Sequence, residues 1–176
     1  MIKLSNFIFI ALLMVLFSAC SSYRTESISS DLPQDMASFE ASLENVVSVI
    51  RDKKSTFSDI EIKNDVLIAQ AKELLPALSK KYPKCRNVLS YVLANTERMK
   101  NLSHTDIEEK FHDGEELPKN SNDSCYELKE LIVHPATVHV LLKEKQDSLE
   151  TRQSMENELV ELKGHLAPIT QGQLVF

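Results

Sequence analysis

The chain is poor in glycine and contains no tryptophan. Only three glycines occur in 176 residues, Gly114, Gly164 and Gly172, and the first 113 residues contain none. Strand-rich folds need many tight turns, and those turns favour glycine. Aromatic residues make up only 6% of the chain. These shortages argue against a β-rich fold and predict an all-α protein.

Several motifs that mark common functions are also missing. The sequence has no Cys-x-x-Cys-His segment for covalent haem attachment, no His-Glu-x-x-His zinc protease motif and no glycine-rich phosphate loop. It has no Gly-x-Ser-x-Gly nucleophile elbow. The formal net charge is −6, whereas a nucleic-acid-binding surface requires a basic face. The sequence therefore does not favour an enzyme, and it predicts no nucleic-acid partner.

The first residues have the organisation of a secretory signal. Lys3 precedes an almost wholly apolar run over residues 7–17, and small residues follow at Ser18 and Ala19. A positive start, a short apolar run and small residues before a cleavage position are typical of such signals. The run is too short to span a membrane comfortably, because a span needs about 20 apolar residues.

The segment Leu16-Phe17-Ser18-Ala19-Cys20 resembles the lipobox of bacterial lipoproteins, although Phe17 replaces the usual aliphatic residue. The resemblance implies cleavage before Cys20, diacylglycerol on its thiol and acylation of its new amine. Several acyl chains together give stable anchoring. Ser21 after the cysteine resembles the signal for outer-membrane sorting, so we expect an anchor in the outer membrane that faces the periplasm. The alternative is an ordinary secretory signal with a chance cysteine.

The rest of the chain suits one domain with one disulfide. We predict a signal peptide over residues 1–19, a lipidated cysteine and flexible tether over 20–33, and a single helical domain over 34–176. Cys85 and Cys125 remain after lipidation of Cys20, and the periplasm favours disulfides. We expect a Cys85–Cys125 bridge, with two free thiols as the alternative.

Apolar residues recur at spacings of three and four, which predicts amphipathic helices. The first covers about residues 34–53. The second begins near 58 or 64 and ends near 82, with a kink or restart at Pro76. The third covers about residues 84–100.

The remaining residues predict two short helices and one long helix. Thr105 and Glu108 have the spacing of a capping box, and Gly114 suits the end of the first short helix. A loop over 115–124 and a short helix over 125–133 come next. Pro135 suits the first position of the long helix and Gly164 its end. The expected fold is an antiparallel bundle of about four main helices with short extra helices.

Four of the five histidines fall within 36 residues, and acidic residues surround the first two. In a continuous helix, His104, Glu108 and His112 would share one face and suit zinc or another divalent ion. A cap at Thr105 would, however, place His104 outside the helix. The alternative is that these histidines are structural. The predicted site for a metal ion or a non-covalent haem draws on His104, Glu108, His112, His134 and His139.

The long last helix carries a polar centre over residues 143–154 with charges of alternating sign. Such a pattern is typical of an exposed helix, and a docking surface for a protein partner is the functional interpretation. The leading hypothesis is therefore a non-enzymatic binding or interaction module of the cell envelope that uses the helix over 136–163. A metal- or haem-binding protein is the alternative, and a hydrolase has no motif behind it.

Overall fold

Four long helices dominate the computed structural model, which describes residues 32–119 and 122–174. Short helices connect the second long helix to the third, and the described residues contain no strand. In chain order the helices are α1 (Leu32–Arg51), α2 (Phe57–Lys81), α3 (Arg86–Ala94), α4 (Thr96–Met99), α5 (His104–Ile107), α6 (Asp123–Glu144) and α7 (Leu149–Thr170).

The four long helices form the predicted antiparallel bundle. Helix α1 contacts α2 and α7, and α6 contacts the same two helices, so the four close into a ring around one core. The apolar face predicted for α1 is buried in that core, and α2 contributes its own stripe. The core side chains of α1 and α2 include Met36, Phe39, Leu43, Val46, Val47, Ile50, Ile60, Leu67, Ala71, Leu74, Leu75 and Leu78.

The first two helices agree closely with their predicted bounds. Helix α1 begins at Leu32, two residues before the predicted domain start. Thr56 caps α2 in a capping box with Asp59, which satisfies backbone donors at the helix start. Pro76 lies inside α2, and the helix continues through it.

The segment predicted as one helix over 84–100 is interrupted. It consists of a 3-10 turn over Pro83–Cys85 followed by α3 and α4, which are separated at Asn95. The Asn95 side chain donates to the Tyr91 carbonyl, and this local bond competes with the backbone hydrogen bonds of the helix.

The cap of the next helix, α5, also differs from the prediction. Ser103, not Thr105, accepts from the Asp106 backbone N–H, so His104 is the first residue of α5.

Helix α6 is longer at its start than the sequence predicts. It is continuous from Asp123, capped by Asn122, and carries Pro135 in its interior rather than at its first position. Every residue from Leu128 to Leu141 is buried, because α6 packs against α2, α3 and α7. Burial on all sides offsets the loss of about 3 kcal/mol that an interior proline causes in a helix.

The prediction of one long helix over 136–163 is wrong, because the chain reverses at residues 145–148 between α6 and α7. Ser148 caps α7 by accepting from the Thr151 N–H. Arg152 binds Asp147 and the backbone carbonyls of Ile50 and Ser55, so this turn is tied to the α1–α2 turn. Helix α7 then continues through Gly164 to Thr170 instead of ending at the glycine.

The disulfide between Cys85 and Cys125 is confirmed, with a Cα–Cα distance of 5.1 Å. It joins the 3-10 turn before α3 to the first turn of α6.

Gly114 has a φ of 85°, as the predicted position after a helix end requires. Within the described residues, the helices are each too short or too polar to cross a membrane. The predicted signal and Cys20 lie outside the described residues.

Candidate metal centre

Helices α6 and α7 carry the same arrangement of acidic residues and histidine. Glu127, Glu130 and His134 follow the spacing Glu-x2-Glu-x3-His on α6, and Glu158, Glu161 and His165 repeat it on α7. Residues at these spacings share one helix face. Because α6 and α7 form an antiparallel pair, the two sets face each other in opposite order.

Each histidine of the repeat pairs with the first glutamate of the opposite helix. Nδ1 of His134 lies 3.0 Å from Oε2 of Glu158, and Nδ1 of His165 lies 2.7 Å from Oε2 of Glu127. The two imidazole rings stack with their centroids 5.3 Å apart. A neutral imidazole that donates through Nδ1–H keeps a lone pair on Nε2. This orientation is the one that metal-binding histidines adopt when a carboxylate supports them.

A third histidine reaches the same place from a π-helical turn over Glu108–His112. The turn is closed by a hydrogen bond of 2.7 Å from the Asp113 N–H to the Glu108 carbonyl. Phe111 enters the core beside Tyr91, and the His112 ring lies 5.2 Å from the His134 ring. Such single π turns recur at functional sites because they redirect neighbouring side chains.

Four possible metal ligands converge where these elements meet. We call His112, His134, Glu161 and His165 the first cluster, because one ligand atom of each lies within 4.8 Å of those of the other three. Oε1 of Glu161 is 3.5 Å from Nε2 of His112 and 3.9 Å from Nε2 of His165. Bonds of about 2.1 Å to a tetrahedral ion place ligands about 3.4 Å apart. Small side-chain rotations would therefore complete a coordination sphere.

The ligand nitrogens of the first cluster have unmet bonding capacity. The Nε2 atoms of His112, His134 and His165 are inaccessible to solvent and have no hydrogen-bond partner among the described residues. Buried polar atoms are normally paired, and leaving one unpaired costs about 1–3 kcal/mol. Burial lowers the pKa of His134 to about 4, so its imidazole is neutral and able to bind a cation at neutral pH.

A buried ion pair lies beside the first cluster. Lys129 and Glu130 are both fully buried, and the Lys129 ammonium donates to Oε1 of Glu130 and to the His112 carbonyl. Burial lowers the pKa of Lys129. The other Glu130 oxygen, Oε2, is 3.8 Å from Nε2 of His134 and has no hydrogen-bond partner among the described residues. A further carboxylate is therefore available next to the four converging ligands.

The structure divides the five residues predicted for the site. His112 and His134 come together in the first cluster, whereas His104 and Glu108 lie in a neighbouring group with Glu158. His139 belongs to neither group, because its Nδ1 faces Asp65 on α2 at 3.7 Å.

Sequence reasoning missed His165 and Glu161. Proximity along the chain could not find them, because they lie on α7 while the predicted residues end at position 139. The repeated Glu-x2-Glu-x3-His spacing was the available signal.

Comparison of this chain with known proteins identified no relative. The chain matches no family model, and no similar curated protein or solved structure was found. The function must therefore be argued from the chemistry of the site.

Proposed function

We propose that this protein binds a divalent transition-metal ion through His112, His134, His165 and Glu161. The observation that carries the proposal is the convergence on the Glu161 carboxylate of three buried Nε2 atoms that lack hydrogen-bond partners among the described residues. A bound cation would satisfy all three nitrogens at once, and the carboxylate would balance part of its charge.

The ligand types indicate the class of metal. Three imidazoles and one carboxylate suit zinc, iron, copper or nickel, whereas magnesium and calcium prefer oxygen ligands. Haem, the other cofactor expected from the sequence, offers at most two axial positions to protein ligands. Four ligands that converge on one point therefore favour a free ion over haem.

The proposed metal would also have a structural effect. Its ligands come from the π turn, α6 and α7, so one ion would join three segments that are distant in the chain. A ligand that binds only the folded state stabilises it, by about 2.7 kcal/mol at a concentration one hundred times its dissociation constant. Together with the lipobox-like residues 16–20, this suggests a metal-binding protein held at a membrane and facing the periplasm.

The interaction hypothesis has less support. It relied in part on an uninterrupted charged helix over 136–163, and the chain reverses within that range. Arg152, one of its charged residues, is committed to Asp147 and to backbone carbonyls. We therefore place metal binding ahead of partner binding.

Metal content and thermal unfolding test the proposal. The mature protein is purified in detergent, its metal is measured by mass spectrometry, and unfolding is followed with and without added Zn²⁺. We expect bound metal and a higher midpoint with Zn²⁺, both reduced in His165→Gln. His139→Gln is the matched control, because His139 lies outside the first cluster. Equal behaviour of the two variants, or an unmodified protein that neither retains metal nor responds to Zn²⁺, would contradict the proposal.

A further inference from the structure

A second group of metal-ligating side chains adjoins the first cluster. We call His104, Glu108 and Glu158 the second cluster; one ligand atom of each lies within 4.8 Å of those of the other two. The three come from the first residue of α5, the start of the π turn and the middle of α7. The cap at Ser103 is what brings His104 into the helix and onto the same face as Glu108.

The second cluster also holds atoms without partners. Nε2 of His104 and Oε1 of Glu108 are 4.0 Å apart, which is too far for a hydrogen bond. Both atoms are inaccessible to solvent, and neither has a hydrogen-bond partner among the described residues. Within the described part of the chain, the ion-pair partners of Glu108 and Glu158 are histidines rather than lysine or arginine. Two neighbouring carboxylates therefore lack a permanent cation in direct contact.

Two side chains connect the clusters. The His112 ring directs Nε2 towards Glu161 of the first cluster at 3.5 Å and Nδ1 towards Glu108 of the second at 3.7 Å. Glu158 of the second cluster accepts the hydrogen bond from Nδ1 of His134. One imidazole ring and one hydrogen bond thus separate the two groups of ligands, and the groups are neighbours in space.

We propose that the second cluster binds a second divalent first-row metal ion, so that the protein holds two neighbouring metal ions. This rests on the proposed function for the first ion, and the second position has its own ligands. One imidazole and two carboxylates suit Zn²⁺, Mn²⁺ or Fe²⁺. The second ion binds more weakly than the first, because it has only one imidazole ligand and that imidazole is more exposed than those of the first cluster. The His104 side chain is 37% exposed, whereas those of His112, His134 and His165 are 14%, 1% and 14% exposed.

Stoichiometry tests the inference. The mature protein in detergent is freed of metal and titrated with Zn²⁺ by calorimetry and with Co²⁺ by visible absorbance. His104→Gln removes a ligand from the second cluster, and His165→Gln removes one from the first. His104 and His165 each contribute to only one of the two clusters. Glu108 and Glu158 are less suitable for substitution, because they also contact histidines of the first cluster. His139→Gln is the control, and circular dichroism checks that each variant is folded.

We expect two ions per chain in the unmodified protein and in His139→Gln. His104→Gln should lose the weaker ion, and His165→Gln should lose the tighter one. The Co²⁺ spectrum should change in steps, because the two ligand sets differ.

The other outcomes separate the two proposals. The second site is overturned if the unmodified protein binds one ion and His104→Gln still binds it. It is also overturned if the unmodified protein binds two ions and His104→Gln still binds both. A single ion that is lost in His104→Gln and retained in His165→Gln overturns the first site and supports the second. A protein that binds no ion overturns both. The stoichiometry of the unmodified protein decides whether a second ion binds even if a variant fails to fold.

Discussion

Nδ1 of His134 on α6 hydrogen bonds to Oε2 of Glu158 on α7 at a distance of 3.0 Å. His165 and Glu127 form the same bond in the opposite direction between the helices, at 2.7 Å. Each carboxylate fixes the orientation of a ring whose Nε2 atom belongs to the proposed metal site. The two bonds thus prepare the site before any ion binds.

The first prediction concerns this support. Glu127→Gln should weaken metal binding about 10- to 100-fold, because supporting carboxylates orient ligand histidines and increase their basicity. Glu127 is the better choice of the two carboxylates, since Glu158 also belongs to the second cluster. Calorimetric titration with Zn²⁺ measures the effect, and Glu73→Gln on the exposed face of α2 is the control. Equal affinity in the two variants would show that Glu127 has no supporting role.

The buried ion pair gives a second prediction. Lys129→Met should lower the free energy of unfolding of the metal-free protein by about 3–5 kcal/mol, because it leaves the Glu130 carboxylate buried and unpaired. The double variant Lys129→Met with Glu130→Leu should recover most of the loss, since apolar side chains of similar size tolerate the same burial. Urea unfolding at neutral pH measures both. A single variant as stable as the unmodified protein would contradict the burial of the pair.

Reduction of the disulfide should destabilise the protein. The Cys85–Cys125 bridge closes a loop with a sequence separation of 40 residues. The chain-entropy model assigns such a loop about 3–4 kcal/mol of stability. Thermal unfolding with and without reductant measures the loss, and the double variant Cys85→Ala with Cys125→Ala should not respond to reductant. A midpoint that reductant leaves unchanged in the unmodified protein would contradict this estimate.

Two glycines should respond to alanine in opposite directions. Gly164 lies inside α7, and a Cβ there would meet no atom within 4 Å. Gly164→Ala should therefore stabilise the protein by about 0.5–1 kcal/mol, because alanine has the higher helix propensity. Gly114 has a φ of 85°, where a side chain costs about 1–2 kcal/mol. Thermal unfolding of both variants makes the comparison, and a loss of stability in Gly164→Ala would contradict the helical interior.

His139 should make the stability depend on pH. Burial and the nearby Lys100 lower its pKa in the folded state, while Asp65 partly opposes them. As the pH falls below about 6.5, the unfolded chain binds a proton that the folded protein does not bind. His139 therefore reduces stability on acidification, and His139→Gln should lose less stability than the unmodified protein between pH 8 and pH 5. Parallel losses in urea unfolding would contradict the lowered pKa.

Local sequence patterns were sufficient for much of the fold. Apolar spacings of three and four located α1 and α2 within a few residues, because one face of each helix is buried and the other is exposed. With Cys20 assigned to the predicted lipid anchor, Cys85 and Cys125 were the remaining pair, and the structure joins them. The shortage of glycine argued against a β-rich fold, because the tight turns of such folds favour glycine at individual positions.

The sequence failed where packing between distant elements overrides local preference. By local propensity, Pro135 marks a helix start and Gly164 a helix end. Both nevertheless lie inside helices, because burial of side chains within the bundle keeps α6 and α7 helical at these positions.

The site itself depended on tertiary structure. The sequence alone determined that the protein is helical, which faces of α1 and α2 are buried, and that His112 and His134 are possible ligands. Only the antiparallel pairing of α6 and α7 brought His165 and Glu161 to them and left His139 on another side of the bundle. Metal ligands must lie close together in space. The chain reversal at residues 145–148 is what brings the ligands on α7 close to those on α6.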